Sequence, residues 1–427
     1  MKSGIKIIHW IVFLWLCLVI LRFEVVIDYL SLIFSYFGLL NHDASSALSF
    51  LNFSFVDASL SVILFFLIVP LIISLRRKLP FIKSKMNFSF AFLIVLCFVY
   101  LFAPIISNEN PEFSKNLSVT KLLPPLSSVN QLELKSEETQ KLSDAEIFRL
   151  KTERIIKPAF NDNIIFADSV TLSDNVTYFQ KDEANEINKN QLVSESGIPI
   201  IKEKYFVLGT DEFGRDLFAR LIYGTRISLT VGIGAVVLSF IIGIILGFIA
   251  GYSGGIIDIL LNRFTEIFLA FPVIYLVVLI LALFGSSIFS VIFVLGISGW
   301  MSLFKLVKSE VISIKQKDFF STAELVGLNK SQLLFREILP VIIVPVLVNL
   351  VFLFSNVVLA EAALSYLGLG TGNTYPSWGS MISSGQEYIT KAWWLIAFPG
   401  LGLILTLFAF NSSGRMLGLV LNPRLKK

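Results

Sequence analysis

Few side chains in these 427 residues are of a kind that does chemistry, and that scarcity is informative. His9 and His42 are the only histidines and Cys17 and Cys97 the only cysteines, the latter both inside apolar runs. Cysteines so placed read as small buried hydrophobes, not as a disulfide or a metal pair. No G-x-x-x-x-G-K-[ST] phosphate loop occurs, so the chain does not bind ATP in the P-loop manner. There is no catalytic constellation either. The chain is expected to hold no metal and no cofactor and not to be an enzyme.

The polar residues that stand out lie in or beside apolar runs. Asn349 and Asn356 are seven apart and share a helical face, and Glu361 follows them. Such groups are costly in a membrane unless they face protein or a water-filled path. Helix-packing hydrogen bonds are one reading; a translocation path lined by Asn349, Asn356 and Glu361 is the other. Asp211, Arg215 and Asp216 form a dense charged cluster, expected to fix a loop by ion pairing. Gly243, Gly247 and Gly251 make a small-xxx-small ladder that lets helix backbones pack closely.

The elements that carry these residues are set by composition. Hydrophobic residues make up 55% of the chain, charged ones only 15%, and Phe alone fills 40 positions. Soluble domains carry nearer a quarter charged residues, so a polytopic membrane protein is the expected class. Runs near 5–23, 58–75, 88–106, 227–250, 267–285, 287–304, 340–360 and 393–411 are long enough to span. Val25–Leu40 is broken by Asp28 and several serines and reads as an interfacial helix, or alternatively a half-buried hairpin. The first run has a basic start but no small-x-small cleavage site after it, so it is expected to be retained.

Lys and Arg in short loops set orientation. Arg76, Arg77, Lys78, Lys83 and Lys85 place their loop in the cytoplasm, with Lys2 and Lys6 on the same side. Residues 305–339 and the C-terminal tail follow by parity, whereas Arg215, Arg220 and Arg226 fall outside, against the bias. Trp378, Trp393 and Trp394 suit an aromatic belt at the outer interface. Between Ser107 and Lys204 the composition turns polar: SDAEIFRLKTERI reads as a helix capped by Ser143, and NIIFADSV and NVTYF as short strands. A small extracytoplasmic α+β domain is expected there.

One polar segment interrupts the later spans. In FFSTAELVGLNKSQLLFREILP, Phe319 to Pro340, Asp318 can cap a first helix and Gly327 can end it. Asn329 and Gln332 form a capping-box pattern for a second, and Pro340 marks the next span. Phe319, Phe320 and Ala323 share one face. This face either dips into headgroups or docks into a groove on a cytoplasmic protein.

These residues resemble a family. Ala323, Gly327 and Ile338-Leu339-Pro340 are similar to the cytoplasmic loop of ABC-importer permeases, whose loop helix lies in a cleft of the ATP-hydrolysing subunit. LGTDEFGRDLFARLIYGTRISLTVG, Leu208 to Gly232, resembles the opening of the second permease subunit of peptide importers. AGYSGGIID, LAFP, LAEAALSYLGLG, YPSWGSMI and AWWLIAFPGLGLILTLFAFN follow in that group's order. Two departures are Ser321 and Thr322, where the loop commonly has an acid and an alanine, and Arg415 and Asn422, where the tail commonly has Asp.

The resemblance implies an all-α polytopic membrane protein with a six-helix permease core: the span 88–106, then 205–427 with five spans and the coupling loop 305–339. Residues 1–87, with two extra transmembrane helices, and the extracytoplasmic insert 107–204 lie outside the resemblance. It assigns ATPase coupling to Phe319, Phe320, Ser321, Thr322, Ala323, Gly327 and Leu328. The implied partners are a homologous permease subunit, two ATPase subunits carrying ATP and Mg, an extracytoplasmic substrate-binding protein, a peptide substrate and membrane lipid, with no nucleic acid. The implied location is the bacterial inner membrane. Nickel or another small solute is the alternative cargo. An ion-driven carrier or channel is the alternative class, but it should show internal repeats with ionisable groups at the midplane, and neither is clear here. A scaffold working through 107–204 is a third.

Overall fold

The computed structural model describes residues 7–75, 87–135, 143–173, 175–195, 198–270, 272–371 and 375–421. Lys2, Lys6, the basic residues of 76–85, Asn422, Arg424, Lys426 and Lys427 lie outside the described residues. The chain divides into two compact units.

The first takes residues up to Asn87, then Ile94–Arg226 and Ser384–Gly400. Its opening helices are α1 (Ile7–Leu21), α2 (Phe23–His42), α3 (Ala44–Ser49) and α4 (Phe53–Leu75), and most of α5 (Phe88–Ile106) belongs to it. Non-helical backbone at Arg22 (φ −127°, ψ 24°) separates α1 from α2. Val26 and Tyr29 of α2, Ala58, Val62 and Phe65 of α4, and Phe98 and Phe102 of α5 form one buried cluster.

The polar region then builds α6 (Leu117–Thr120), β1 (Ser127–Glu133), α7 (Asp144–Ile155), β2 (Ile164–Ala167), β3 (Ser169–Leu172), β4 (Val176–Gln180), β5 (Glu183–Ile187), β6 (Ser194–Glu195), β7 (Ile198–Pro199) and β8 (Ile201–Phe206). Ser143 caps α7 in a full capping box with Glu146. β1 pairs antiparallel with both β2 and β8, with Asn130 opposite Ala167 and Val129 opposite Lys204. β3, β4 and β5 form a second antiparallel sheet. Alternation buries Val129, Phe166 and Phe206 in one small core and Leu132, Val176 and Leu192 in another. Helix α7 packs Phe148 among Leu32, Tyr36, Leu39 and Phe55, so the N-terminal helices and the insert share a core.

The second unit takes Phe88–Leu93, Ile227–Ser383 and Leu401–Lys427. The later helices are α8 (Leu217–Ser253), α9 (Gly255–Ala270), α10 (Val273–Phe284), α11 (Ile288–Lys315), α12 (Asp318–Leu325), α13 (Lys330–Gln332), a π-helical turn Leu333–Ile338, α14 (Leu339–Tyr366), α15 (Trp378–Gly385) and α16 (Trp394–Leu421). Its core runs through Val231, Val291, Leu303, Val307, Phe320, Leu333, Ile338 and Val346.

Seven described helices are long and apolar enough to cross a membrane, but they are not the expected set. The run 267–285 is split at Pro272, which has no N–H to donate to a helix and stands in extended backbone (φ −61°, ψ 117°) at the start of α10. α1 has 15 described residues, whereas α2, expected to be interfacial, has 20. α11 runs on to Lys315, so the first third of the expected loop 305–339 is helix.

Candidate functional site

The segment after α11 is built on a rail of glycines. A Cβ on Gly243, Gly247 or Gly251 would lie 2.6–2.8 Å from the Cβ of Leu303, Val307 and Val311 respectively, one turn of α11 per glycine. Only a residue without a side chain lets α8 and α11 approach this closely. At the end of this contact, Lys308 pairs with Asp258 at 2.6 Å. The Lys315 ammonium donates to the Tyr252 carbonyl at 2.7 Å, and Lys315 and Lys330 both stand over the Tyr252 ring.

Helix α12 docks there by one face. Phe320 is 0% exposed and meets Tyr252 edge-on, and Ala323 is also buried. Phe319 lies at the margin, and Ser321 and Thr322 face outward, with the Thr322 hydroxyl bonded back to the Asp318 carbonyl. Asp318 opens the helix from inside its first turn instead of capping it, where its charge still favours the helix N-terminus. Gly327 adopts φ +84° with open space around it, and Leu328 returns to the body half-buried. Just before Gly327, Leu325 is 88% and Val326 75% exposed, an apolar tip without cover among the described residues.

The second half differs from the expected free-standing helix. The capping box forms, with Asn329 Oδ1 accepting from Gln332 N at 2.9 Å and Gln332 Oε1 accepting from Asn329 N at 3.0 Å. The helix then widens into the π turn and continues as α14, so Lys330–Tyr366 is one 37-residue element. Pro340 explains the widening. In a regular helix its ring would press on the Arg336 carbonyl, and a wider ring closed from Leu339 N to the Leu334 carbonyl relieves that contact.

Of the expected path residues, Asn356 is exposed, and Asn349 is half-buried with no hydrogen-bond partner for Oδ1 among the described residues. Glu361 turns away from both. It is 0% exposed and accepts from the Ser228 hydroxyl at 2.9 Å and the Ser365 hydroxyl at 2.7 Å, with Ser377 also bonded to it. The knot joins α8, α14 and the start of α15, where Trp378 N donates to Ser228 Oγ. Within this chain Glu361 therefore faces protein rather than an open path.

The charged cluster before α8 is also rearranged. Arg215 donates to Asp211 at 2.7 Å and to Glu112 at 2.6 Å, and Glu112 takes a second guanidinium from Arg220, also at 2.6 Å. Asp216 is outside this ion-pair network among the described residues: it caps α8 through Phe218 N. Glu112, about a hundred residues upstream, carries no local motif that could have revealed it. Nearby, Glu109 is held between Lys157 and Lys204, each at 2.6 Å. Burial alone would raise its carboxyl, but the two ammonium groups outweigh that and bring it down to about 2. Burial pushes Glu212 and Asp216 up instead, Glu212 further under the charge of Asp211. The aromatic belt is reduced to Trp393: Trp378 is buried, and Trp394 is buried with its indole N–H on the Thr210 carbonyl.

Residues 243–427 match the family described as binding-protein-dependent transport system inner membrane component. The chain is 39% identical over 218 residues to the dipeptide transport system permease protein DppC of Alkalihalophilus pseudofirmus, covering 51% of this chain and 72% of that one. This chain belongs to that family. It is a multi-pass protein of the inner membrane. Two further relatives are the oligopeptide transport system permease proteins OppC of Haemophilus influenzae, 39% identical over 52% of this chain and 71% of the relative, and of Bacillus subtilis, 35% identical over 54% and 74%. An inward-facing structure of the MetNI methionine ABC transporter overlaps 48% of this chain and 98% of its own at 15% identity and a TM-score of 0.41, too loose an overlap to carry further argument.

Proposed function

We propose that this chain is one of two homologous permease subunits of an ATP-driven importer and forms part of the membrane path for peptides. The relatives named above are permeases of dipeptide and oligopeptide transport systems, which supports peptide as the cargo. ATP and Mg belong to two separate ATPase subunits, and a substrate-binding protein delivers cargo on the outer side, where the insert 107–204 also lies. The observation that carries the coupling part is the Leu325–Val326 tip, an apolar end held out by a helix whose other face is locked into the core.

In this reading an ATPase subunit takes α12 into a groove, in the helix-in-groove mode. Closure of the ATPases pulls on α12, and the glycine-packed α8–α11 pair and the continuous π-turn–α14 helix pass that displacement into the membrane. The central path then alternates between outward and inward access. Changing Leu325 and Val326 to Asp tests this without touching a buried residue. ATP-driven uptake in reconstituted vesicles should drop at least tenfold while ATPase subunits dissociate more readily. Uptake equal to the unaltered complex would reject the lever.

A further inference from the structure

Helix α2 has the length and apolarity of a membrane span, yet its surroundings are wrong for one. α1 packs Trp15 against Phe65, midway along α4, with the indole N–H on the Phe65 carbonyl. The hydrogen bond and the ring contact that α2 makes with α5 and α4 instead lie at the ends of those helices. The Tyr29 hydroxyl donates to the Pro104 carbonyl in the last turn of α5, and Tyr36 meets Phe55, in the first turn of α4, with the rings tilted and 4.9 Å apart. The decisive contact is at the midpoint of α2. There the Lys151 ammonium of α7 donates to the Ser31 carbonyl at 3.0 Å and to the Ser35 hydroxyl at 2.5 Å. If α2 crossed the bilayer, that lysine and its helix, with the exposed pair Arg149–Glu153, would stand at the bilayer centre. A charge there costs at least about 2.5 kcal/mol, and an exposed ion pair gains too little to offset it.

The faces of α2 give the alternative. At 100° per residue, Phe23, Ile27 and Phe34 fall within about 40° of one another, with Phe37 beside them. All four are exposed, Phe34 at 73% and Phe37 at 56%. Glu24, Asp28, Ser31, Ser35 and His42 line the adjoining edge, the one Lys151 covers. The opposite side, with Val26, Tyr29, Leu32, Tyr36 and Leu39, is buried. An apolar stripe bordered by a polar one marks a helix lying in a membrane interface. α1 and α4 also expose apolar side chains, among them Phe13, Leu16, Ile63 and Leu67.

We infer that α2 lies along the membrane surface, with Phe23, Ile27, Phe34 and Phe37 in lipid, and that α7 clamped on its polar edge moors the 107–204 domain to that surface. The occupant of the stripe is phospholipid. The test uses the full chain with its partner subunits, in vesicles of phosphatidylcholine and phosphatidylglycerol. On a C17S/C97S background, single nitroxides at I27C, F34C and F37C report depth from collisions with oxygen and with a nickel chelate. The expected result is one shallow depth for all three, about 5–10 Å below the phosphates. A depth that changes by roughly 1.5 Å per residue from 27 to 37 would make α2 a span and overturn the inference. Labels open to nickel as in free solution, or shut off from both probes by a partner protein, would overturn it equally.

Discussion

Glu361 shows how a polar side chain inside a membrane helix is held in place. Its two carboxyl oxygens are shared among serines from three separate segments, so the group works as a rivet between α8, α14 and α15. E361L would leave those hydroxyls without their acceptor and should cost roughly 2–4 kcal/mol, at about 1–3 kcal/mol for each buried polar group left unsatisfied and partly relaxed. E361Q keeps the volume and one acceptor and should lose far less. Thermal unfolding of the solubilised complex separates them, and equal melting of the two variants would contradict the rivet. Glu109 gives a pH dependence. Its folded value, about 2, lies below the 4.5 of an ordinary glutamate, so its contribution is complete above pH 4.5 and fades as pH falls toward 2. At about 1.4 kcal/mol per unit the whole effect is about 3 kcal/mol. Glu212 and Asp216, both raised by burial, act in the opposite sense, so the comparison with E109Q isolates Glu109. Protection from hydrogen exchange in β1 and β8, corrected for intrinsic rates, should decline below pH 4.5 in the unaltered chain relative to E109Q, and parallel profiles would rule the Glu109 contribution out.

At the scale of elements, the α8–α11 contact turns on glycine spacing. A Cβ at Gly247 would stand 2.8 Å from Val307 Cβ and 3.0 Å from the Phe304 carbonyl, whereas at Gly418 the nearest atom is Val348 Cγ2 at 3.8 Å. G247A should therefore cost about 1–3 kcal/mol by overpacking, and G418A should be neutral or slightly stabilising through helix propensity. Thermal melting decides, and a G247A complex as stable as G418A would show that the helices part without penalty. The ladder, the Gly327 stop and the Asn329–Gln332 box are all legible in the sequence because each depends on residues within one or two turns. The split at Pro272 is legible too, once proline's missing donor is weighed above the hydrophobic run. The π turn was not: it arises where Pro340 meets a helix already committed by the capping box upstream.

For the molecule as a whole, the N-terminal helices are fastened to the start of α8 by a charge pair. Arg226 of α8 makes a bidentate bond to Asp57 of α4, both mostly buried, and stands over the Tyr100 ring. D57N removes the carboxylate and should cost about 3–5 kcal/mol locally, because one charge of a buried pair is left behind. Proteolytic nicking between α3 and α4 should rise several-fold in D57N and fall back in D57N/R226Q. Unchanged nicking in both would show that apolar packing alone holds these helices.

The sequence by itself determined the class and the family. Apolar runs, glycine spacing and local caps are short-range signals, and each sets its own backbone. It also marked Glu361, Asp211 and Arg215 as residues that need partners. Only the tertiary structure decided which partners they have: Ser228 for Glu361, and Glu112 for Arg215 and Arg220. It alone joined α7 to α2, across more than a hundred residues of chain. The reason is physical: burial energy and charge pairing depend on distance in space, and a linear pattern records only which residues will need a neighbour.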